Sequence, residues 1–166
     1  MIAAPERPDE AAFFDSHVAE KARREFLTFR LGEETYGIDI LQVQEIREID
    51  EVTRVPHVAP FVRGVVNLRG AIVPIVDLGL LFGFPEPMGL KKASAIVLNV
   101  DRRLVGLVVS GVSDVLALAE EEILPPPDLG TRAIAHAITG IGTRDGASIL
   151  LLDVDHIMKR IREEGE

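Results

Sequence analysis

The segment RGVVNLRGAIVPIVDL, residues 63 to 78, sets two arginines and an asparagine at the mouth of an otherwise apolar run. Arg69 stands in a short turn between two strand-like stretches. There its guanidinium can offer a fork of donors to a carboxylate, an amide or a backbone carbonyl, either within the chain, with Glu45 as a candidate acid, or on a partner. Other chemistry finds little support. His17, His57, His136 and His156 are scattered with no HxH or HExxH spacing, so they do not read as a metal site. GIGTRDG, residues 140 to 146, has GxGxxxG spacing without the strand, turn and helix that a phosphate cradle needs, and it reads as a turn. Ser110, Ser113 and Ser148 lie in strand-like contexts with no nucleophile elbow and no nearby acid and base. The expectation is a protein that is not an enzyme and takes no cofactor.

Composition bounds the rest. A chain of 166 residues, 47% apolar, can bury a core of its own. It has no cysteine, which removes disulfides, thiolate nucleophiles and Cys-based zinc sites and makes the cytoplasm the expected compartment. The N-terminus lacks a basic stretch followed by an apolar one, and the most apolar runs, 71 to 82 and 104 to 118, are interrupted by Pro74, Asp77 and Asp114, so neither export nor membrane insertion is expected. A net charge of −9 argues against nucleic acid, since counterion release needs a cationic face, and favours a protein partner.

Strand signals dominate the elements that must position Arg69. FLTFRLG (26 to 32) and ETYGIDI form one alternating hairpin, and SAIVLNV (94 to 100) and LVGLVVSGV (104 to 112) form another. Pro56, Pro60 and the prolines at 125 to 127 mark connections, and Glu120, Glu121 and Glu122 read as a solvated turn. LQVQEIRE (41 to 48) is a short, weak helical signal. Convincing helices are confined to the ends: one from Asp9 with Phe14, Val18 and Ala22 on a face, the other opened by Asp153 or Asp155 with Ile157, Met158 and Ile161 on a face.

The chain also repeats itself. A shift of 69 lays YGIDILQVQEI (36 to 46) over VGLVVSGVSDV (105 to 115), FLTFRLG over AIVLNVD, and Pro56 over Pro125. A shift of 76 lays GVVNLRGAIVPIVDL (64 to 78) over GIGTRDGASILLLDV (140 to 154). Two copies of a strand-rich unit, each with about five short strands, predict two small closed β-barrels in tandem. Features that recur serve the fold: Gly64, Gly70 and Asp77 meet Gly140, Gly146 and Asp153. Arg69 does not recur. Its counterpart is Asp145, and Asn67 meets Thr143.

These same residues carry a resemblance. FLTFRLGEETYGIDILQVQEIREIDEVTRVP, FVRGVVNLRGAIVPIVDL and IVLNVDRRLVGLVVSGVSDVLAL resemble the CheW family of bacterial chemosensory coupling proteins, from Glu25 to Met158. The spacing of NLRGxxxPxxDL to YGIDI is specific to that pattern. The resemblance implies an all-β fold of two intertwined five-stranded SH3-like barrels with short terminal helices. It implies a noncatalytic adaptor that couples the cytoplasmic tips of methyl-accepting chemoreceptors to the regulatory domain of the histidine kinase CheA and can contact further copies of its own kind. It implies a receptor-binding groove at Ile40, Val43, Glu45, Arg69 and Ile72, with Arg63 and Asn67 in support, and kinase contacts at the barrel ends. An adaptor of a related chemosensory pathway, with twitching, gliding or cyclic-dinucleotide output, is the alternative; a ligand-binding or enzymatic barrel is the third reading, since fold alone does not fix function. The expected domain plan is an N-terminal extension over 1–24, a coupling domain over 25–158 with its lobes split near 85–92 and a C-terminal helix at about 153–162, and a tail over 159–166. The expected location is the cytoplasm, at receptor arrays on the inner membrane.

Overall fold

A computed structural model describes residues 23–128, 130 and 133–165; the N-terminal helix expected from Asp9 lies outside them. Strands come first in every half: β1 (Arg24–Leu31), β2 (Glu34–Asp39), a 3-10 turn (Ile40–Gln42), β3 (Val43–Ile49), β4 (Val62–Leu68) and β5 (Ala71–Asp77), closed by the short helix α1 (Leu78–Leu81). The second half repeats this with β6 (Ala93–Val100), β7 (Arg103–Val109), β8 (Gly111–Leu118), β9 (Ile123–Leu124), β10 (Ile138–Arg144), β11 (Ala147–Leu152) and the longer helix α2 (Val154–Glu164). The repeat found in the sequence is a repeat in space: a shift of 76 carries Val62–Leu68 onto Ile138–Arg144. Asp77 and Asp153 each cap the helix that follows, accepting from Leu80 N at 3.0 Å and His156 N at 3.1 Å.

The lobes, however, are not the repeats. One sheet runs β8-β1-β2-β11-β10-β9 and the other β3-β6-β7-β5-β4, so each copy lends its first hairpin to the other. The expected lobe boundary near 85–92 is therefore corrected: that segment joins β5 to β6 within one lobe, and the chain crosses between lobes at Ile40–Gln42 and at Ser110. Equivalent pairings make the exchange possible. β1 meets β8 antiparallel as β6 meets β3, and β2 meets β11 in parallel as β7 meets β5.

Both barrels close by one device. After edge strand β3 the chain returns to β4 through Thr53, whose N–H donates to Val65 O (2.9 Å) while its carbonyl accepts from Val65 N (2.8 Å). After edge strand β8 it returns to β10 through β9, pairing Leu124 with Ile141. Closure leaves few free edges on which a foreign strand could add.

Alternation on β1 shows how the cores divide. Phe26 packs inside its barrel with Leu118, Ile149 and Leu151, while Leu27, Phe29 and Leu31 point the other way into a larger core shared with β6, β7 and α2. Phe29 and Tyr36 stack there, ring centroids 5.9 Å apart. The weak helical signal at 41 to 48 is overruled. Asp39 caps only one 3-10 turn, accepting from Leu41 N at 2.9 Å, and Val43–Ile49 then pairs with β6 because its β-branched residues suit a pleated, half-buried surface. At the other end the helix runs to Glu164, through most of the stretch expected as a tail.

Candidate functional site

The β4–β5 turn presents Arg69. Both turn residues are left-handed, Arg69 at φ 52° and Gly70 at φ 89°, the two-residue geometry for which Asn-Gly or Asp-Gly is the usual choice. The second copy obeys that preference with Asp145 and Gly146 at φ 51° and 79°. An arginine there carries a left-handed penalty of about 1–2 kcal/mol, so turn geometry does not account for it. Asn67 steadies the turn instead, its Oδ1 accepting from Gly70 N at 2.9 Å.

The Arg69 guanidinium donates to Glu45 on β3, and Arg47 Nη1 donates to the same carboxylate at 3.2 Å. The pair is intramolecular yet open to solvent: the Arg69 side chain is 65% exposed and that of Glu45 21%. The hydrogen bond from Arg69 holds the Glu45 carboxyl below the usual glutamate range, with Arg47 adding to the effect. A carboxylate depressed in the folded state favours folding above its unfolded value near about 4.3, and that contribution disappears as pH falls through the folded value. Carbon-detected NMR titration should therefore place the Glu45 midpoint below ordinary glutamates, and Arg69→Ala should move it up. An unmoved midpoint would show that the bridge does not form in solution.

The other expected site residues divide. Ile72 is 63% exposed on the outer face of β5, the face that Val76, four residues on, buries completely against the other lobe. Ile40 and Val43 are only half open, because both pack on the shared core. Arg63 belongs elsewhere. Its Nη1 donates to Met88 O at 2.6 Å and to the buried Asp77 carboxylate at 3.3 Å, so it ties down the loop after α1 and does not support the site.

Sequence reasoning missed a set of exposed apolar side chains: Leu41, Ile46, Val55, Val115 and Leu124. The repeat was the signal that could have found four of them, since a shift of 69 superposes Ile46 on Val115 and Val55 on Leu124. Each of the latter pair edges a cleft, one of about 520 Å³ with Val52, Arg54 and Val58, the other of about 460 Å³ with Glu120, Ile123 and Pro125. The histidine rings of residues 136 and 156 lie 6.3 Å apart, but no group of three metal-ligating side chains forms among the described residues. No described helix is long and apolar enough to cross a membrane.

A family model, the CheW-like domain, matches residues 25–162. The chain belongs to the CheW-like family of chemotaxis adaptors. The chemotaxis protein CheW of Klebsiella aerogenes is 45% identical over 139 residues, 84% of each chain. The protein of the same name from Rhizobium meliloti is 35% identical, over 81% of this chain and 86% of its own. The crystal structure of a scaffolding CheW from Thermoanaerobacter tengcongensis matches with a TM-score of 0.72 and 32% identity, over 79% of this chain and 89% of that one. The CheW-like match spans both halves of the repeat, so the exchange of hairpins lies wholly within the family domain.

Proposed function

We propose that this CheW-like chain couples the cytoplasmic tips of methyl-accepting chemoreceptors to the regulatory domain of the kinase CheA, as a noncatalytic scaffold working in the cytoplasm at receptor arrays. The observation that carries the receptor contact is the Arg69–Glu45 pair. Its arginine stands on a turn whose backbone would favour aspartate, and that side chain remains largely open near the exposed Ile72 while Glu45 is partly exposed. A helical hairpin laid along this edge needs apolar anchors and polar groups that set its register. Ile72 is the free anchor, Ile40 and Val43 form the floor, and Glu45 and Arg69 stand at the rim.

For the kinase, the paired clefts at Val55 and Leu124 support docking at both barrels, because a duplicated fold offers the same kind of apolar edge twice. Each contact is small, and affinity in an array comes from several weak contacts engaged together.

Arg69→Glu tests the receptor edge. It places a second acid against Glu45 and reverses the rim charge, so recruitment to a receptor fragment in co-sedimentation should fall about tenfold or more. The thermal melt should stay close to the parent, since an exposed pair contributes little to stability. Full recruitment with a normal melt would remove Arg69 from the receptor contact.

A further inference from the structure

A chain of net charge −9 carries one face where cations outnumber acids. Between the β6–β7 turn and helix α2 lies a cleft of about 490 Å³ lined by Arg103, Met158, Lys159 and Arg162, with Asp101 and Asp155 also on its wall. Arg102 is exposed on the same turn. None of Arg102, Arg103, Lys159 and Arg162 forms an ion pair within 4 Å among the described residues. The fold does not ask for this charge, since under the 69-residue shift Arg102 and Arg103 stand where the first copy has Glu33 and Glu34. A local positive face of this kind attracts an acidic segment.

The chain enters the fold along the same edge. Arg24 Nη2 donates to Asp39 at 3.4 Å, and Asp39 caps the 3-10 turn at Ile40–Gln42, so Arg23 and Arg24 line a groove with Leu41, which is 88% exposed. On the other side of that turn Val43 pairs with Leu98, and Asn99 Nδ2 donates to Gln44 Oε1 at 3.0 Å. The end of β6 and the β6–β7 turn therefore lie next to the 3-10 turn. Chain entry, exposed Leu41 and cationic cleft follow one another.

The segment just upstream has the matching chemistry. DEAAFFDSHVAE, residues 9 to 20, holds Asp9, Glu10, Asp15 and Glu20 with no lysine or arginine, and carries Phe13, Phe14 and Val18 among them. It precedes Arg24 by 4 to 15 positions. A chain of that length spans up to about 50 Å. We propose that residues 9–20 dock in the cleft of their own chain, acids on Arg103, Lys159 and Arg162 and a phenylalanine on Met158, whose thioether suits an aromatic ring. The extension thereby screens the cleft from foreign acidic segments. Covalent attachment makes the encounter intramolecular, so a weak contact suffices. Its charges sit at the rim, which makes it sensitive to salt.

The chain has no cysteine, so Ser16→Cys gives a single site for a nitroxide in the full-length, isotope-labelled protein. Amides of Asp101, Arg102, Arg103, Lys159 and Arg162 should broaden at about 20 mM salt, and the broadening should fall several-fold by about 500 mM. R102E/R103E, checked for a normal thermal melt, should lose it. The neutralised variant D9N/E10N/D15N/E20N should bind an octaglutamate peptide about tenfold more tightly than the parent, because its cleft is no longer screened. No broadening in the parent, broadening that survives R102E/R103E, or no gain in octaglutamate affinity on neutralisation would overturn the proposal. So would broadening that passes from a nitroxide-labelled chain to a separate isotope-labelled copy, because the cleft would then take the segment of another molecule.

Discussion

Asp77→Ala should destabilise the fold by about 3–5 kcal/mol, the range for removing one partner of a buried charge pair. The Asp77 side chain is fully buried, and three donors converge on it: Leu80 N at 3.0 Å, Met88 N at 2.8 Å and Arg63 Nη1 at 3.3 Å. Truncation uncaps α1, releases the loop through Met88 and strands a partly buried guanidinium. The repeat supplies a control. Asp153 holds the equivalent position on the second copy but is only half-buried and accepts the single cap bond from His156 N, so Asp153→Ala should cost about 1 kcal/mol. Urea unfolding of the two variants should separate them by several-fold in free energy. Equal losses would show that the Arg63–Asp77–Met88 network adds nothing to the cap.

Gly64→Ala should cost about 2–4 kcal/mol, the sum of backbone strain and overpacking at a site unable to relax. Gly64 sits at φ 146°, and a Cβ there would lie 2.5 Å from the Thr53 carbonyl oxygen and 2.9 Å from Val52 Cγ2. That carbonyl is half of the Thr53–Val65 bridge that closes the barrel, so the clash opens the barrel at its seam. Gly70→Ala is the comparison. Nothing lies within 4 Å of its Cβ, leaving the left-handed backbone alone to cost about 1 kcal/mol. Hydrogen exchange should report the difference locally, with the Thr53 and Val65 amides losing protection in the Gly64 variant and keeping it in the Gly70 variant. Intact protection in both would show that the seam has room to give.

Much of this architecture was legible in the amino-acid order. Apolar residues alternating with period two marked the hairpins β1–β2 and β6–β7 but left β3 with a helical signal, and the 69- and 76-residue shifts paired β1 to β5 with their counterparts to within a residue. They did so because turns, caps and inward-facing positions impose the same local demands wherever they occur. Arg69 was legible for the opposite reason, as a residue that the repeated turn does not need.

Partner choice between strands was not legible. Hairpin β1–β2 could satisfy its edges on β3 and β5 or on β8 and β11, since the two sets are copies; the short crossing at Ile40–Gln42 and the shared core beneath Phe29, Tyr36 and Leu107 go with the second arrangement. The roles of Arg63 and Arg69 likewise parted only in three dimensions. Both are arginines beside the same apolar strand, yet one faces a fully buried carboxylate 14 positions away and the other reaches a partly exposed one 24 positions away. Sequence determines local conformation because sterics and burial act residue by residue; which distant surface a side chain meets depends on how the sheets cross, and that is settled by the whole core at once.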